Sequence, residues 1–261
     1  MTALERVGEA AQQAWSMRGL ARITAGYCSL SVLVRPITGE QGPHRLMRRY
    51  FDAVIRELGI EMVAEGTEKV TPTGPCVIAV NHNSLLDVPV VGTILPTDYK
   101  WVSKKSIFYT PFVGWHLYVA GHIWVDRNRK DNMERLTEKF HRVIANGGSI
   151  LMFPEGTRSP DGRLQKFKSG AFVTAIRENV PVLPIVLDGT ERLMTKGELT
   201  MSRGVEKIVR LRVCDPIPPP PTGESDERRV IRLRNATRRA MVDALDALRG
   251  AAGAAERPSV A

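Results

Sequence analysis

Apolar positions along this chain form short continuous runs that are separated by amphipathic segments with helical spacing. The runs typical of strands cover residues 60–66, 76–81, 99–103, 122–126, 149–153, 180–187 and 207–213. Short apolar runs bounded by turn residues are typical of buried strands. Because helical segments lie between most of the runs, the pattern predicts an α/β fold with a mainly parallel central sheet flanked by helices.

The amphipathic segments supply the helices of this fold. Residues 44–58 carry apolar side chains at every fourth position, namely Leu46, Tyr50, Val54 and Leu58. Gly59 follows directly, and glycine after the last periodic residue is a common helix stop. The same spacing predicts helices up to about residue 95, near Trp115, and over residues 131–146, 171–179 and 224–249.

The amino-terminal segment is the most membrane-like part of the chain. Residues 19–37 are weakly apolar and include Arg22 and Arg35. A spanning helix needs about 20 apolar residues, so a transmembrane helix is not expected here. Two alternatives stay open: a helix that lies in the lipid interface with its basic residues toward the headgroups, or a helix packed on the protein's own core.

These patterns divide the chain into three parts. Residues 1–59 are predicted to be an amino-terminal helical segment that docks at a membrane interface. Residues 60–249 hold the alternating strands and helices and form the predicted catalytic α/β domain. Residues 250–261, rich in Ala, Gly and Pro, are predicted to be a disordered tail.

Charge indicates an anionic partner without choosing it. The 261 residues contain 37 Lys and Arg against 28 Asp and Glu, which gives a formal net charge of +9. Nucleic acid, anionic lipid and a phosphorylated substrate would all suit such a surface. The basic residues are not interleaved with an aromatic stacking platform, so no nucleic-acid partner is expected.

Cysteine usage and the first residues indicate the compartment. Cys28, Cys76 and Cys214 lie in unrelated settings that lack metal-site or redox-motif spacing. We therefore expect reduced, buried thiols and no metal site. Glu5 and Glu9 precede the weakly apolar stretch, which is unlike a cleavable signal, so a cytoplasmic orientation is expected.

The first candidate for chemistry is the segment HNSLLD. His82 and Asp87 are five residues apart, and on one continuous helix they would point about 140° away from each other. Pro89 is tolerated only in a first helical turn, so the helix should begin near Asp87 and leave His82 at the strand end. A carboxylate beside an imidazole would then fix its tautomer for base catalysis. A capping Asp87 beside an inactive histidine is the structural alternative.

A second candidate is the segment FPEGTRS at residues 153–159, where an apolar strand runs into a polar loop. Arg158 has the planar guanidinium that suits a phosphate group. Gly156 would allow a close backbone approach, and Thr157 and Ser159 could add hydroxyl donors. An ordinary turn held by an ion pair between Glu155 and Arg158 is the alternative.

Taken in order, four segments resemble the glycerolipid acyltransferase family, part of the lysophospholipid acyltransferase superfamily, which includes bacterial 1-acylglycerol-3-phosphate acyltransferases. HNSLLD resembles the first family motif, the HX4D motif, and GHIWVDR resembles the second. FPEGTRS matches the third motif without departure, and VPVLPIVL is similar to the fourth. The resemblance covers residues 60–190.

The resemblance implies which residues form the site. His82 and Asp87 take the catalytic places, with His82 as base and Asp87 as its partner. The substrate-binding candidates are Glu155, Gly156, Thr157, Arg158, Lys104, Arg127 and Lys168. The segments WVSKKSIFYTPFVGW and KFKSGAF, which carry Lys104 and Lys168, resemble further parts of the family pattern. No metal is implied.

The resemblance also implies the reaction and its partners. A fatty acyl group would pass from acyl-CoA or acyl-carrier protein directly to a glycerophosphate hydroxyl, without an acyl-enzyme and without a permanently bound cofactor. The expected acceptor is 1-acylglycerol-3-phosphate, which would give phosphatidic acid; glycerol 3-phosphate or another lysolipid is the alternative. The protein would then be a peripheral or monotopic protein on the cytoplasmic face of the cell membrane. Its oligomeric state stays open.

Two other classes of function remain. One is a catalytically inactive lipid-binding or scaffold protein, against which the intact motif residues argue. The other is a hydrolase that uses the same His82 and Asp87 pair with water. Acyl transfer to an acceptor and release of free fatty acid distinguish these functions.

Overall fold

One seven-stranded sheet organises the computed structural model, which describes residues 3–71, 73–95, 98–126, 133–198 and 200–255. Its strands are β1 (Glu61–Glu65), β2 (Val77–Val80), β3 (Tyr99–Lys104), β4 (Ile123–Val125), β5 (Ser149–Met152), β6 (Val182–Asp188) and β7 (Ile208–Val213). Each lies within or against one of the seven predicted runs. The spatial order is β1-β7-β6-β2-β5-β3-β4.

Strand direction confirms the predicted, mainly parallel sheet. The five strands β6, β2, β5, β3 and β4 pair in parallel. β7 pairs antiparallel with β6, and β1 pairs in parallel with β7. The carboxyl ends of β2, β5 and β6 therefore meet at one edge of the sheet, where parallel α/β proteins place their sites.

Helices cover both faces of this sheet. They are α1 (Ala3–Thr38), α2 (Gln41–Leu58), α3 (Asp87–Ile94), α4 (Val113–Val119), α5 (Met133–Ala145), α6 (Gly170–Glu178), α7 (Thr190–Leu193) and α8 (Asp226–Ala255). Short 3-10 turns cover Thr67–Lys69 and Lys105–Tyr109. The α2 and α3 helices bury one face together with Phe51 and Val90, while α6 and α8 bury the other with Phe172 and Met241. The molecule thus has two apolar cores, one on each side of the sheet.

The long α1 helix packs on the protein along one side, which agrees with the second of its two alternatives. It packs against α2 and α4. Cys28 and Ser31 are buried on that side, whereas Leu33 and Ile37 are exposed. Among the described residues, none of the helices has the length and apolar content needed to cross a bilayer.

The α2 helix begins three residues earlier than predicted and ends as predicted, at Leu58. Gly59 follows with a φ of 65°, the left-handed conformation expected of a glycine stop. The fully buried side of α2 carries Met47 and Phe51 rather than Leu46 and Tyr50, which are half-buried. A strict four-residue repeat drifts around a helix of 3.6 residues per turn, so only part of the predicted stripe faces the core.

The last helix is longer than predicted. Its expected end was residue 249, but α8 continues to Ala255, so the first residues assigned to the tail are helical. Alanine has the highest helix propensity, and the Ala-rich sequence after Gly250 lets the helix continue. Residues 256–261 lie outside the described part of the chain.

Candidate active site

The ends of β2, β5 and β6 bring His82 and Asp87 together. His82 follows β2, and Asp87 is the first residue of α3, as the position of Pro89 predicted. The Nδ1 atom of His82 lies 2.8 Å from Oδ2 of Asp87. An ionised carboxylate can only accept hydrogen bonds, so the proton of this bond belongs to Nδ1, and Nε2 is left as the ring's acceptor.

Backbone N–H groups hold the Asp87 carboxylate in place. The N–H groups of Asn83 and Ser84 donate to Oδ2 over 2.6 and 2.8 Å. Thr190, at the start of α7, donates its hydroxyl to Oδ1 over 2.6 Å. Asp87 is 0% exposed, and these donors replace the water that its charge would otherwise need.

The β5 end fixes the His82 ring and its backbone. The ring stacks on Phe153, with 4.0 Å between ring centroids. The backbone N–H of His82 donates to Oε1 of Glu155, and the His82 carbonyl accepts from the N–H of Ser159. The histidine is therefore held at its face, its N–H and its C=O, while its side chain stays 18% exposed.

Glu155 occupies a different place from the one expected of a substrate ligand. Its second oxygen accepts the N–H of Gln165, so both oxygens bind backbone groups, and the residue is 3% exposed. Burial raises the pKa of the Glu155 carboxyl, and the hydrogen bonds from His82 and Gln165 oppose that rise. The carboxylate joins the His82 turn to the following loop and is directed into the protein, which corrects its expected role.

The loop after Glu155 carries three further candidates. Gly156 has a φ of 71°, a conformation that favours glycine, and the Lys168 side chain lies against it. Arg158 is half-buried, and its Nη1 atom is buried without a hydrogen-bond partner in the described structure. Thr157 is exposed. The ion pair between Glu155 and Arg158 that offered the alternative interpretation is replaced by the backbone bonds of Glu155.

Of the remaining basic candidates, Lys104 lies further along the same edge. Lys104 is exposed at the carboxyl end of β3, two strands from β2. Lys105 begins the next turn, and its ammonium lies 5.1 Å from the centre of the Trp124 ring. Arg127 lies outside the described residues, directly after Asp126.

Ser84 and Cys76, two side chains that could otherwise offer a nucleophile, are engaged elsewhere. The buried Ser84 hydroxyl donates to the carbonyl of Met194 over 2.8 Å. Cys76 is buried in the core, and burial raises the pKa of its thiol to about 11. A hydroxyl and a thiol in these settings are poor nucleophiles, and Cys76 is buried as its sequence predicted.

Sequence analysis missed three residues that shape this site. Thr190 bonds Asp87, Phe153 supports the His82 ring, and Asn81 exchanges two hydrogen bonds with the backbone of Leu187. Phe153 and Asn81 are the last residues of two predicted strand runs, which was an available signal. Thr190 follows the fourth motif, but nothing in its local sequence indicated a contact with Asp87.

Comparisons with known proteins agree with this architecture. A family model described as Acyltransferase matches residues 61–188. The chloroplastic 1-acyl-sn-glycerol-3-phosphate acyltransferase BAT2 of Brassica napus is 34% identical over 201 residues, which cover 72% of this chain and 58% of that protein. The 1-acyl-sn-glycerol-3-phosphate acyltransferase of Saccharomyces cerevisiae is 32% identical over 167 residues, covering 63% of this chain and 54% of that protein. The chain thus spans little more than half the length of these relatives.

A solved structure shares the fold over nearly the whole chain. It is the crystal structure of the 1-acyl-sn-glycerophosphate acyltransferase PlsC from Thermotoga maritima, with a TM-score of 0.72 and 22% sequence identity. The match covers 92% of this chain and 98% of that one. The motif segments around His82 and Glu155 lie inside the matched region, and residues 61–188 therefore form a domain of the acyltransferase family.

Proposed function

We propose that the protein is an O-acyltransferase that moves a fatty acyl group from acyl-CoA or acyl-carrier protein to 1-acylglycerol-3-phosphate, giving phosphatidic acid. The observation that carries this proposal is the 2.8 Å contact between His82 and a fully buried Asp87 carboxylate. The names of the relatives support the choice of acceptor.

In this reaction, His82 acts as the general base. Its Nε2 takes the proton of the acceptor hydroxyl while the hydroxyl oxygen attacks the thioester carbonyl. The C–S bond then breaks, and the leaving thiolate receives the proton from Nε2. Asp87 stabilises the imidazolium formed between these steps and keeps the proton on Nδ1.

The acceptor phosphate belongs beside the loop after Glu155. Arg158 brings a guanidinium nitrogen that is buried and unpaired, and a buried donor of this kind favours an anionic oxygen. The ammonium of Lys168 lies against Gly156 in the same loop. Lys104, at the end of β3, and Arg127, which follows β4 in the sequence, are proposed to add positive charge for the acceptor.

The lipid substrates place the protein at a membrane surface. We assign residues 1–59 as the membrane-docking segment, residues 60–249 as the catalytic domain, and the cytoplasmic face of the cell membrane as the location. Exposed apolar side chains continue from α1 onto α4 and the turn before it: Leu33, Ile37, Tyr109, Trp115 and Tyr118. Aromatic side chains of this kind suit the boundary between acyl chains and headgroups.

An apolar cavity opens beside this surface. It has a volume of about 680 Å³ and lies between α1, α4 and β4, with Leu33, Trp115 and Trp124 among its lining residues. Lys105 also lines it. We assign the cavity to an acyl chain, because apolar walls remove hydrocarbon from water while a cation at the edge can meet an anionic headgroup.

A transfer assay on the purified full chain tests the function. Palmitoyl-CoA, oleoyl-CoA and palmitoyl-carrier protein are offered with 1-acylglycerol-3-phosphate, glycerol 3-phosphate or a lysophospholipid, and the products are separated by mass. We expect phosphatidic acid with the wild-type chain and a loss of about 10³-fold or more in the His82→Ala variant. His141→Ala is the matched control, because His141 is exposed on α5.

Other products would overturn parts of the proposal. Free fatty acid without an acylated acceptor would identify a hydrolase. Product from glycerol 3-phosphate alone would overturn the assigned acceptor and keep the reaction type. Wild-type turnover in His82→Ala would overturn the mechanism, and lipid binding without turnover of any donor would identify a scaffold protein.

Liposome flotation tests the docking surface. The double change Trp115→Ser and Tyr118→Ser removes two exposed aromatic rings and should weaken binding about ten-fold or more. Ile231→Ser is the control, because Ile231 is an exposed apolar residue of α8. Binding to anionic liposomes should also weaken as salt screens the positive charge of the chain. Unchanged binding of the double variant would show that these rings do not contribute to the membrane contact.

A further inference from the structure

A hydroxyl far along the chain contacts the candidate catalytic carboxylate. Thr190 lies 103 positions after Asp87, and its Oγ1 donates to Oδ1 of Asp87 over 2.6 Å. Both residues are 0% exposed, so no bulk water can replace the bond. The contact is among the shortest hydrogen bonds at the site, as expected when a hydroxyl donates to a charged acceptor.

The two oxygens of Asp87 have different partners. Oδ2 faces the His82 ring and the N–H groups of Asn83 and Ser84. Oδ1 receives the Thr190 hydroxyl. Bonds to one oxygen alone would let the carboxylate group rotate about that oxygen, whereas a donor on the other oxygen fixes its plane. The direction of the bond from His82 to Asp87 therefore depends on Thr190.

Thr190 is itself held against the segment that carries Asp87. Gly189, with a φ of 100°, turns the chain from β6 into α7. At the end of α7, the Met194 carbonyl accepts the Ser84 hydroxyl over 2.8 Å. Before α7, within β6, the Leu187 backbone pairs with the Asn81 side chain. Bonds on both sides of Thr190 thus keep its hydroxyl in place beside Asp87.

We propose that Thr190 is a positioning residue of the reaction, whose hydroxyl orients the Asp87 carboxylate so that Oδ2 stays directed at Nδ1 of His82. This inference rests on the proposed acyl transfer. Thr190 touches neither substrate in this role and acts through Asp87 alone.

Two substitutions separate the hydroxyl from the shape of the side chain. Thr190→Val keeps the branched shape and removes the donor, while Thr190→Ser keeps the donor and removes a methyl group. In Thr190→Val we expect kcat to fall about ten-fold or more with KM nearly unchanged, because misaligned catalytic groups lose rate rather than binding. In Thr190→Ser we expect most of the activity to return.

The pH dependence distinguishes orientation from a general loss of folding. Without the hydroxyl, the carboxylate can turn away from Nδ1 and stabilises the imidazolium less, so the acid limb of the kcat/KM profile should move to lower pH in Thr190→Val and stay in place in Thr190→Ser. Unfolded protein would lower the whole profile without moving it. An unmoved acid limb, or equal losses in the two variants, would overturn the proposal.

A second readout keeps this test independent of turnover. The Nδ1 proton signal of His82, assigned through the His82→Ala variant, is followed by NMR in the full chain. We expect this signal to move upfield in Thr190→Val relative to wild type and Thr190→Ser, because the hydrogen bond to Oδ2 of Asp87 weakens. The same chemical shift in all three proteins would overturn the role of Thr190. Absence of acyl transfer by the wild type would instead overturn the proposed function.

Discussion

At the scale of single residues, two buried carboxylates have separate tasks. Asp87 and Glu155 both accept backbone N–H groups, and both lie close to His82. Asp87 touches the imidazole ring, whereas Glu155 touches the His82 backbone. Asp87 is therefore placed to bind the proton on the imidazole ring, and Glu155 is placed to hold the turn that carries the ring.

The charge of Asp87 is tested by Asp87→Asn. The amide oxygen can take the place of Oδ2 and keep the N–H bonds, and the amide N–H₂ can donate to the Thr190 oxygen, so we expect the variant to fold. Without the charge, the imidazolium loses its stabilisation, and kcat should fall about 10³-fold to 10⁴-fold. Transfer kinetics and a thermal melt measure the two effects. A folded variant with wild-type kcat would contradict the assigned role.

The two backbone hydrogen bonds that Glu155 accepts are tested by Glu155→Gln. A glutamine has one acceptor oxygen, so it can keep the N–H of His82 or that of Gln165, but not both. The buried N–H left over should cost about 1–3 kcal/mol in the free energy of unfolding. Urea unfolding measures this change, with the exposed Glu138→Gln as control. Equal free energies of unfolding for the two variants would show that these hydrogen bonds do not stabilise the fold.

At the scale of elements, α8 connects the two segments that support the site. Arg249 donates to Asp188 at the end of β6 over 2.7 Å, and to the carbonyl of Gly162 over 2.8 Å. The first contact lies two residues before Thr190. The second lies in the loop that Glu155 joins to His82. The Arg249 guanidinium therefore binds both the segment that carries Thr190, the partner of Asp87, and the loop that Glu155 joins to His82.

Loss of this guanidinium should loosen both segments. In Arg249→Gln, the buried Asp188 keeps only Arg192, at 3.5 Å, among its described cationic partners. We expect a loss of about 1–2 kcal/mol in the free energy of unfolding, reduced by the partial exposure of Arg249. Arg239→Gln on the exposed side of α8 is the control. Hydrogen exchange should rise in residues 159–165 of the Arg249 variant alone, and an unchanged loop would contradict the connection.

At the scale of the whole molecule, buried polar groups tie the α1 and α2 helices to the sheet. Lys100 of β3 is buried and bonds Glu40, between α1 and α2, over 2.9 Å. His116 of α4 donates from Nδ1 to Ser31 of α1 over 2.9 Å, since the Ser31 hydroxyl itself donates to Tyr27. The proposed docking segment is therefore fixed to the proposed catalytic domain by specific contacts.

These contacts make stability depend on pH. Burial, with a smaller contribution from His44, lowers the pKa of His116 to about 4 from 6.5. Between these values the unfolded chain binds more protons than the folded chain, so stability should fall as pH drops below 6.5. The full shift corresponds to about 3 kcal/mol at pH 4. Burial also lowers the pKa of His122, which adds to the same trend.

Urea unfolding between pH 7.5 and pH 5 measures this dependence. His116→Asn keeps a donor for Ser31 and removes the titrating ring, so its stability should fall less steeply as pH drops. His141→Asn removes an exposed histidine and should keep the wild-type slope. Parallel curves for His116→Asn and wild type would show that His116 does not carry the effect.

The sequence by itself determined the elements and the nearest pair of chemical groups. Apolar runs specify buried strands locally. Pro89 and Gly59 mark helix boundaries because the proline ring fixes its own φ, and glycine, which has no Cβ, can adopt a left-handed conformation. His82 and Asp87 could be placed together because the turn between them spans only five residues. The four motifs could be recognised for the same reason, since each is continuous in sequence.

Tertiary structure alone decided the contacts between distant segments. The position of Thr190 beside Asp87, the inward direction of Glu155 and the antiparallel pairing of β7 depend on the order in which the strands lie in the sheet. Strand order is set by packing of the two apolar cores, which is a property of the whole chain. Local patterns predict that a residue lies at a strand end, but only packing determines which oxygen receives its hydrogen bond.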